Sequence, residues 1–300
     1  MTFPRDASTG GLNERGPVSR PVVLLVRYGE MSLKSPYVRR QLEDRLASNA
    51  HEMFAASGVE CVVRRERGRL WVHADDEPAA IRLLRRVFGI VSISPAAETT
   101  SDLESLTKFV ADYARLRLEA GTTFAIRAHR SGQHPYTSQD LARVLGQAVR
   151  DAIPGVAVNL GAPDWTIQVE VRGPRAYVFH EIVDGPGGLP LGSQGEVYAV
   201  AQDEAGMVAT WLIMRRGCRA KVAGREPFVA ALRLWDPRLD AFEHVAEAAL
   251  EKLAADKGAP LVLSTRERSM RKGGRPFRMD PLAGLSDEDV EALARRVREA

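Results

Sequence analysis

Hydrophobic and polar positions change period several times along this chain, and each change predicts a new element. An apolar run from residue 21 ends at Tyr28 and predicts a buried strand. Over residues 37–54, apolar side chains recur at helical spacing, which predicts an amphipathic helix. Two further strands are predicted at 59–65 and 69–74, with a turn between them. Together these elements predict a small α+β unit.

Helices and strands continue to alternate between residues 76 and 183. The predicted helices span 78–88, 102–119 and 139–152, and the predicted strands span 90–96 and 122–130. Pro95 is expected to close the first of these strands, because proline cannot donate a backbone hydrogen bond to a neighbouring strand. A hairpin is predicted after them, with its turn at Gly173 and Pro174.

The clearest break in composition lies at residues 184–195, which hold five glycines and two prolines. We interpret this segment as a domain linker. After it, strands alternate with helices, and this order predicts a parallel sheet in a small α/β domain over residues 196–300. The predicted strands span 195–201, 219–224 and 260–265, and the predicted helices span 206–216, 240–257 and 287–298.

The composition is that of a globular chain, with 300 residues of which 45% are hydrophobic and 27% are charged. No apolar run is long enough to predict a membrane span. Residues 1–20 combine charge with glycine, serine and proline, and we expect a flexible tail rather than a signal peptide, which favours a cytoplasmic protein. Two cysteines and six scattered histidines predict no metal site.

Arginine dominates the basic residues of this chain. The net charge is +3, and only six of the 42 basic residues are lysine. The planar guanidinium suits bidentate contacts with phosphate, whereas a GC-rich genome would produce the same bias without any function. One stretch favours a function, because six arginines between residues 115 and 150 stand against only Glu119 and Asp140.

The strand that ends at Arg130 also presents Arg127 and His129, and a polar loop follows it into the next helix. Side-chain cations and the free backbone N–H groups of a helix N-terminus both suit a phosphate backbone. Tyr136 in the loop is expected to stack on an unpaired base. The alternative is a solvated strand face followed by an ordinary helix cap.

In a parallel α/β domain, phosphate groups bind in the loop that leads from the first strand into the first helix. Here that loop consists of Ala201, Gln202, Asp203, Glu204, Ala205 and Gly206. The first five residues supply neither the glycines for close approach nor the positive charge that a pyrophosphate requires, and a carboxylate at this position is typical of a helix cap. The residues alone therefore predict a poor nucleotide site.

Seven segments stand in a characteristic order from about residue 21 to residue 214: VRYGEMSLKS, RRQLEDRL, GRLWV, RRVFGIVSISP, TFAIRAHRSGQHPYTSQDLARVLGQAV, DWTIQVEVRGPRAYVF and GPGGLPLGSQGEV. Together they resemble the tRNA 4-thiouridine synthetase (ThiI) family. The resemblance implies a ferredoxin-like domain at 21–75, a THUMP domain at 76–183 and a PP-loop domain at 196–300. In that family the first two domains bind the tRNA acceptor stem and its 3′ CCA end, and the PP-loop domain adenylates uridine 8 so that sulfur can replace its oxygen.

The arginine-rich stretch lies in the part that resembles THUMP, so the resemblance and the residues agree on RNA there. We expect tRNA contacts from Arg127, His129, Arg130, Tyr136, Ser138 and Arg143, with Lys34, Arg39 and Arg40 contributing from the first domain. The resemblance also leaves open a homodimer and a separate catalytic or sulfur-donor protein.

The resemblance does not extend to the family's catalytic residues. The family has Ser-Gly-Gly-x-Asp-Ser where residues 201–206 stand here, and its catalytic cysteine has no counterpart, since Cys218 matches a different position. We therefore expect a tRNA-binding protein with a degenerate PP-loop domain, no cofactor and no catalytic residue. One alternative is an ATP-dependent tRNA sulfurtransferase that makes 4-thiouridine at tRNA position 8, alone or with a partner subunit. Another is a scaffolding subunit that has lost RNA binding.

Overall fold

The computed structural model describes residues 22–29, 34–66, 68–242, 247–264 and 276–299, so the tail predicted for residues 1–20 lies outside the described residues. The elements of the N-terminal part are β1 (Val22–Tyr28), α1 (Pro36–Ser57), β2 (Cys61–Glu66), β3 (Arg69–Ala74), α2 (Glu77–Leu84), β4 (Ile90–Thr100), α3 (Leu103–Arg115), β5 (Thr123–Ser131), α4 (Ser138–Ala152), β6 (Ala157–Val158), β7 (Trp165–Arg172), β8 (Arg175–Phe179) and β9 (Val183–Asp184). Those of the C-terminal part are β10 (Glu196–Ala201), α5 (Glu204–Arg215), β11 (Arg219–Gly224), α6 (Glu226–Arg233), β12 (Asp240–Phe242), α7 (Glu247–Lys257), β13 (Leu261–Val262), β14 (Arg278–Met279) and α8 (Asp287–Glu299).

The N-terminal strands form one sheet in the order β2-β3-β1-β4-β8-β7-β5-β6, with β9 also paired to β4. The first four strands with α1 and α2 have the βαββαβ order of a ferredoxin-like fold. Strand β5 runs parallel to β7, and β7 and β8 form an antiparallel hairpin. The sequence prediction of a ferredoxin-like domain followed by a second α+β domain is confirmed.

The helices pack on one face of this sheet, where alternate strand residues supply apolar side chains. Leu24 and Val26 of β1 lie in one core with Leu46 and Phe54 of α1. Side chains of α3 and α4 form a second core over β5, β7 and β8. On the opposite face, Leu25 belongs to a smaller apolar cluster with five other residues, namely Val23, Trp71, Ala96, Tyr177 and Phe179. Polar side chains therefore have room beside that cluster on the helix-free face.

The ferredoxin-like unit extends further along the chain than the boundary that the sequence suggests at residue 75. Ala80 and Leu84 of α2 and Ile90 of β4 are fully buried in the same core as β1 and α1. Strand β4 does not end at Pro95, as predicted, but continues to Thr100. Pro95 lies between the residues of β4 that pair with β9 and those that pair with β8, so no partner on that edge needs its missing N–H.

The C-terminal domain contains a parallel sheet in the order β12-β11-β10-β13-β14, which confirms the predicted α/β class. The helix predicted over 240–257 is shorter than expected, because its first three residues form β12. Phe242 of that strand stacks on Tyr198 of β10, with ring centroids 6.3 Å apart. Pairing with β11 and packing against β10 therefore prevail over the local helical pattern.

The segment at 184–195 is an ordered connector. Gly185 and Gly187 donate backbone hydrogen bonds to Val91 and Ile90, and Leu189 donates one to the carbonyl oxygen of Arg215. Gly188 has a φ of +80°, and a Cβ there would collide with the same carbonyl oxygen. Only glycine fits this close approach, so the connector holds the two parts of the chain in contact.

An aromatic cluster joins the ferredoxin-like unit to the C-terminal domain. Phe88, in the loop between α2 and β4, is 1% exposed and lies in the C-terminal core. Its ring stacks on Trp235 at 5.1 Å and meets Trp211 edge to face at 5.7 Å. Beside it, Arg219 of β11 contacts Glu52 of α1 at 3.1 Å. The domain contact therefore combines apolar burial with an ion pair.

We predict that Phe88→Ala lowers the free energy of unfolding by about 3–5 kcal/mol, because it removes a buried ring from the contact between domains. Urea denaturation followed by tryptophan fluorescence measures the change. Leu116→Ala is the control, since Leu116 is 81% exposed and should shift stability by no more than about 0.5 kcal/mol. Equal stability of the two variants would contradict this account of the domain contact.

Candidate nucleic-acid interface

A groove of about 610 Å³ runs between β5, α4 and the loop that leads from β6 to β7. Two of the predicted RNA contacts, Arg127 and Arg143, lie in its wall. The other lining residues are Phe124, Ile126, Gln139, Ala142, Gly146, Gln147, Arg150, Val158 and Leu160. The groove thus combines an apolar floor with three arginines and two side-chain amides.

The wall of the groove is fixed by hydrogen bonds within the chain. The Asn159 side chain accepts from the backbone N–H groups of Gly161 and Ala162, both at 3.1 Å, which shapes the loop before β7. Arg127 Nη2 donates to the Leu160 carbonyl oxygen at 2.5 Å. The guanidinium of Arg127 is therefore held at the rim of the groove before any ligand binds.

Arg143 projects from the first turns of α4. Its side chain is 75% exposed and pairs with Asp140. Asp140 also forms a capping box with Thr137, whose side chain and backbone hydrogen bonds lower the pKa of the Asp140 carboxyl. Ser138 begins the helix and is half-buried. The helix N-terminus is thus capped by its own residues, while Arg143 extends towards solvent.

His129 and Arg130 lie at a different site, a pocket of about 400 Å³ on the helix-free face of the sheet. We call it the sheet-face pocket. It is also lined by Arg27, Arg69 and Arg172, which surround Glu170, and by Ser92, Ser131, Gln168, Val169, Val171, Phe179 and Ile182. The structure therefore divides the predicted contacts of β5 between two sites.

Three guanidiniums share the Glu170 carboxylate in the sheet-face pocket. Arg172 Nε donates to Glu170 Oε1 at 2.7 Å, Arg69 Nε lies 3.4 Å from the same oxygen, and Arg27 Nη2 lies 3.7 Å from Oε2. Burial lowers the pKa of Arg27, Glu170 raises it, and the guanidiniums of Arg69 and Arg172 lower it again. Glu170 therefore gathers the three cations without neutralising all of them.

Tyr136 does not have the position that base stacking requires. It is 8% exposed, packs in the core beneath α3 and α4, and donates its hydroxyl to the Ser101 carbonyl oxygen at 2.7 Å. This corrects the prediction, because a loop tyrosine can serve the core as well as a ligand. The half-buried ring of His134 stacks on Tyr136, at 5.5 Å between centroids.

Lys34, Arg39 and Arg40 lie at the start of α1 in the ferredoxin-like unit. Lys34 and Arg40 are exposed, and Arg39 Nε is 3.9 Å from a Glu43 carboxylate oxygen. These three residues are not among those that form the groove or the sheet-face pocket. They form a separate basic surface.

The loop at 201–206 has the geometry of a self-capped helix. The Asp203 carboxylate accepts a hydrogen bond from Gly206 N at 2.7 Å, and Glu204 pairs with Arg298 of α8. A Cβ at Gly206 would collide with the carbonyl oxygen of Val200, so this glycine lets α5 pack closely against β10. A carboxylate thus lies at the N-terminus of α5, the end of a helix that attracts anionic groups.

Sequence reasoning missed the residues that complete both sites. Arg27, Arg69, Glu170 and Arg172 come from three strands that are far apart in the chain, and only their alternation with buried neighbours indicated that they point to one face. Among the described residues, no group of histidine, cysteine, aspartate and glutamate side chains could hold a metal ion. Within the same residues, no helix has the length and hydrophobicity of a membrane span.

Two family models match this chain. The ThiI ferredoxin-like domain matches residues 23–94, and the THUMP domain matches residues 100–181. A protein of Methanothermobacter thermautotrophicus, named a probable tRNA sulfurtransferase, is 39% identical over 66% of this chain and 51% of its own length. One of Halobacterium salinarum with the same name is 35% identical over 81% of this chain and 67% of its own. The chain spans about half the length of several of these relatives.

Solved structures share the fold. A crystal structure of a protein from Pyrococcus horikoshii has a TM-score of 0.79 at 24% identity and covers 92% of this chain and 99% of its own. A 4-thiouridine synthetase in complex with RNA and with bound ATP has a TM-score of 0.71 at 19% identity, covering 92% of this chain and 85% of its own. Both likenesses extend through the ferredoxin-like unit, the second α+β unit and the α/β domain.

We predict that Asp203→Ala lowers the free energy of unfolding by about 1 kcal/mol, because α5 loses its N-cap. Asp203→Asn retains a capping oxygen and should stay within about 0.5 kcal/mol of the wild type. Urea denaturation measures both. An Asp203→Ala variant as stable as the wild type would show that this carboxylate does not cap the helix.

Proposed function

Because this chain belongs to the ThiI family, we propose that it binds tRNA at its acceptor end and receives the 3′ CCA segment in the groove between β5 and α4. The groove carries the proposal, since it offers three arginines beside an apolar floor in the THUMP domain. Single-stranded RNA ends require both kinds of contact, because their phosphates attract cations and their unstacked bases seek an apolar surface.

Each part of the groove has a role in this proposal. Val158 and Leu160 expose the apolar side chains on which an unpaired base packs. Arg127, already held by the Leu160 carbonyl oxygen, and the exposed Arg143 bind phosphate oxygens on either side of that base. The amides of the groove are placed to hydrogen-bond with base edges.

We propose further that this chain does not adenylate tRNA. The Asp203 carboxylate caps α5, and the Glu204 carboxylate beside it pairs with Arg298. The Asp203 carboxylate repels the phosphates of ATP, and no described residue of the loop replaces the missing glycines and hydroxyls. In this proposal the α/β domain supports the RNA-binding domains, and any sulfur transfer to the bound tRNA belongs to a separate protein.

We predict that the double variant Arg127→Gln, Arg143→Gln binds unmodified tRNA about tenfold to a hundredfold more weakly than the wild type, because two charge-assisted phosphate contacts are lost. The plot of log affinity against log salt concentration should become shallower by about 1 to 2 units. Fluorescence anisotropy with labelled tRNA, titrated at several salt concentrations, measures both quantities.

The matched control is the double variant Arg233→Gln, Arg295→Gln, which removes the same charge from the C-terminal domain. Both of its arginines are exposed and lie outside the groove and the sheet-face pocket. Control binding should stay within about twofold of the wild type, since distant charges are largely screened. If the two double variants lost equal affinity, the effect would be one of net charge and the groove would not be the binding site.

We predict no pyrophosphate release when the purified chain is incubated with tRNA, ATP and a sulfide donor. Isothermal titration calorimetry with ATP alone should give no high-affinity saturable heat, because the self-capped loop leaves no phosphate site and we expect isolated phosphates to bind elsewhere only weakly. A family member that retains the Ser-Gly-Gly-x-Asp-Ser loop serves as the positive control in both assays. Sustained pyrophosphate release by this chain would make it an adenylating enzyme and overturn the proposal.

A further inference from the structure

The sheet-face pocket has more positive charge than its own carboxylate can balance. Arg27, Arg69 and Arg172 share the single carboxylate of Glu170, and Arg130 lies at the rim. The three side chains that meet Glu170 are only 19–25% exposed, so water screens them poorly. Among the described residues, no hydrogen bond reaches the buried Nε of Arg69. A desolvated excess of this kind is stabilised by a bound anion.

The carboxylates nearest the pocket do not line it: Glu66 stands opposite Arg69 on β2 and is exposed. Glu98 lies further along the same sheet and pairs with Arg175 at 3.5 Å, so it balances an arginine outside the pocket. Within the pocket, Glu170 is the single acidic lining residue among those described. Its contacts fix the guanidinium planes, which reduces the entropy that a ligand would otherwise have to offset on binding.

We propose that the sheet-face pocket binds a phosphate monoester, the 5′-terminal phosphate of the RNA whose 3′ end lies in the groove. This inference rests on the proposed function and deepens it by naming the RNA end that is recognised. A terminal phosphate carries a charge of about −1.5 to −2 near neutral pH, whereas a phosphodiester carries about −1. A terminal phosphate also offers three oxygens to the converging guanidiniums where a phosphodiester offers two, so the pocket matches a chain end better than a point within the chain.

The position of the pocket relative to the groove supports the same ligand. Arg127 lines the groove and His129 lines the pocket, and two residues along a strand span about 7 Å. In an acceptor stem, the 5′ phosphate and the single-stranded 3′ segment leave the same end of one duplex. Two anion sites that meet on β5 are thus placed to hold the two ends of one RNA together.

The test compares two acceptor-stem RNAs of identical sequence, one with a 5′ phosphate and one with a 5′ hydroxyl. We expect the wild type to bind the phosphorylated RNA about tenfold more tightly, because bidentate guanidinium contacts are gained. Arg69→Gln should abolish this preference while leaving the affinity for the 5′-hydroxyl RNA within about twofold. Arg69→Lys, which keeps the positive charge but not the planar guanidinium, should retain part of the preference.

Arg233→Gln is the matched control, and it should preserve the full preference because it removes an arginine from the other domain. Equal affinity of the wild type for the two RNAs would overturn the 5′-phosphate assignment while leaving the proposed function intact. Binding of neither RNA would instead contradict the proposed function. The wild-type comparison needs no substitution, so it stands even if Arg69→Gln fails to fold.

Free phosphates are distinguished in the same assay. Inorganic phosphate and AMP are added as competitors against the phosphorylated RNA. Weak competition by both is expected, because neither carries the neighbouring nucleotides that occupy the groove. If AMP bound as tightly as the RNA, the pocket would be a mononucleotide site and the RNA-end assignment would be wrong.

Discussion

Strand β4 determines the arrangement of everything that precedes the C-terminal domain. It pairs with β1 on one edge and with β8 and β9 on the other, so two units that could each form a sheet share one. Because the sheet is continuous, side chains from β1, β3, β5 and β7 reach a common helix-free face. The cluster of arginines around Glu170 exists only because this pairing brings those strands together.

The arginines of the two sites lie in different environments. On the helix-free face, Arg27 and Arg172 are gathered by a carboxylate and partly buried beside the rings of Phe179 and Trp71. At the groove, Arg143 is exposed and pairs with Asp140. An exposed guanidinium interacts weakly with its partners and is screened by salt, whereas a partly buried one interacts more strongly. The first site suits a defined end group, and the second suits a flexible backbone.

The α/β domain has a parallel sheet whose first strand, β10, leads into α5 through a self-capped loop. Gly206 remains necessary, although it serves the approach of α5 to β10 rather than the approach of a phosphate. Asp203 supplies within the chain the negative group that a helix N-terminus attracts. Trp211 of the same helix α5 packs against Phe88, so this helix also contributes to the contact with the ferredoxin-like unit.

Sequence reasoning succeeded where local pattern decides the outcome and failed where distant residues do. The order of elements, the parallel sheet and the self-capping character of Asp203 follow from periodicity and from the chemistry of short side chains near a helix start. The end of β4 was predicted too early, because whether Pro95 breaks a strand depends on which neighbour lies beside it. Tyr136 was assigned to RNA because its neighbours are polar, yet Ser101 and the core beneath α4 decide its position.

The sheet-face pocket was beyond sequence reasoning for a related reason. The charges of Arg69 and Glu170 look unremarkable in their own strands, since a single charged side chain in a strand usually faces solvent. Their importance comes from convergence, because one carboxylate cannot neutralise three guanidiniums that the topology brings within 4 Å of it. A count of charges along the chain does not show which charges lie close together. Only the pairing of strands shows that these positive charges are concentrated at one point.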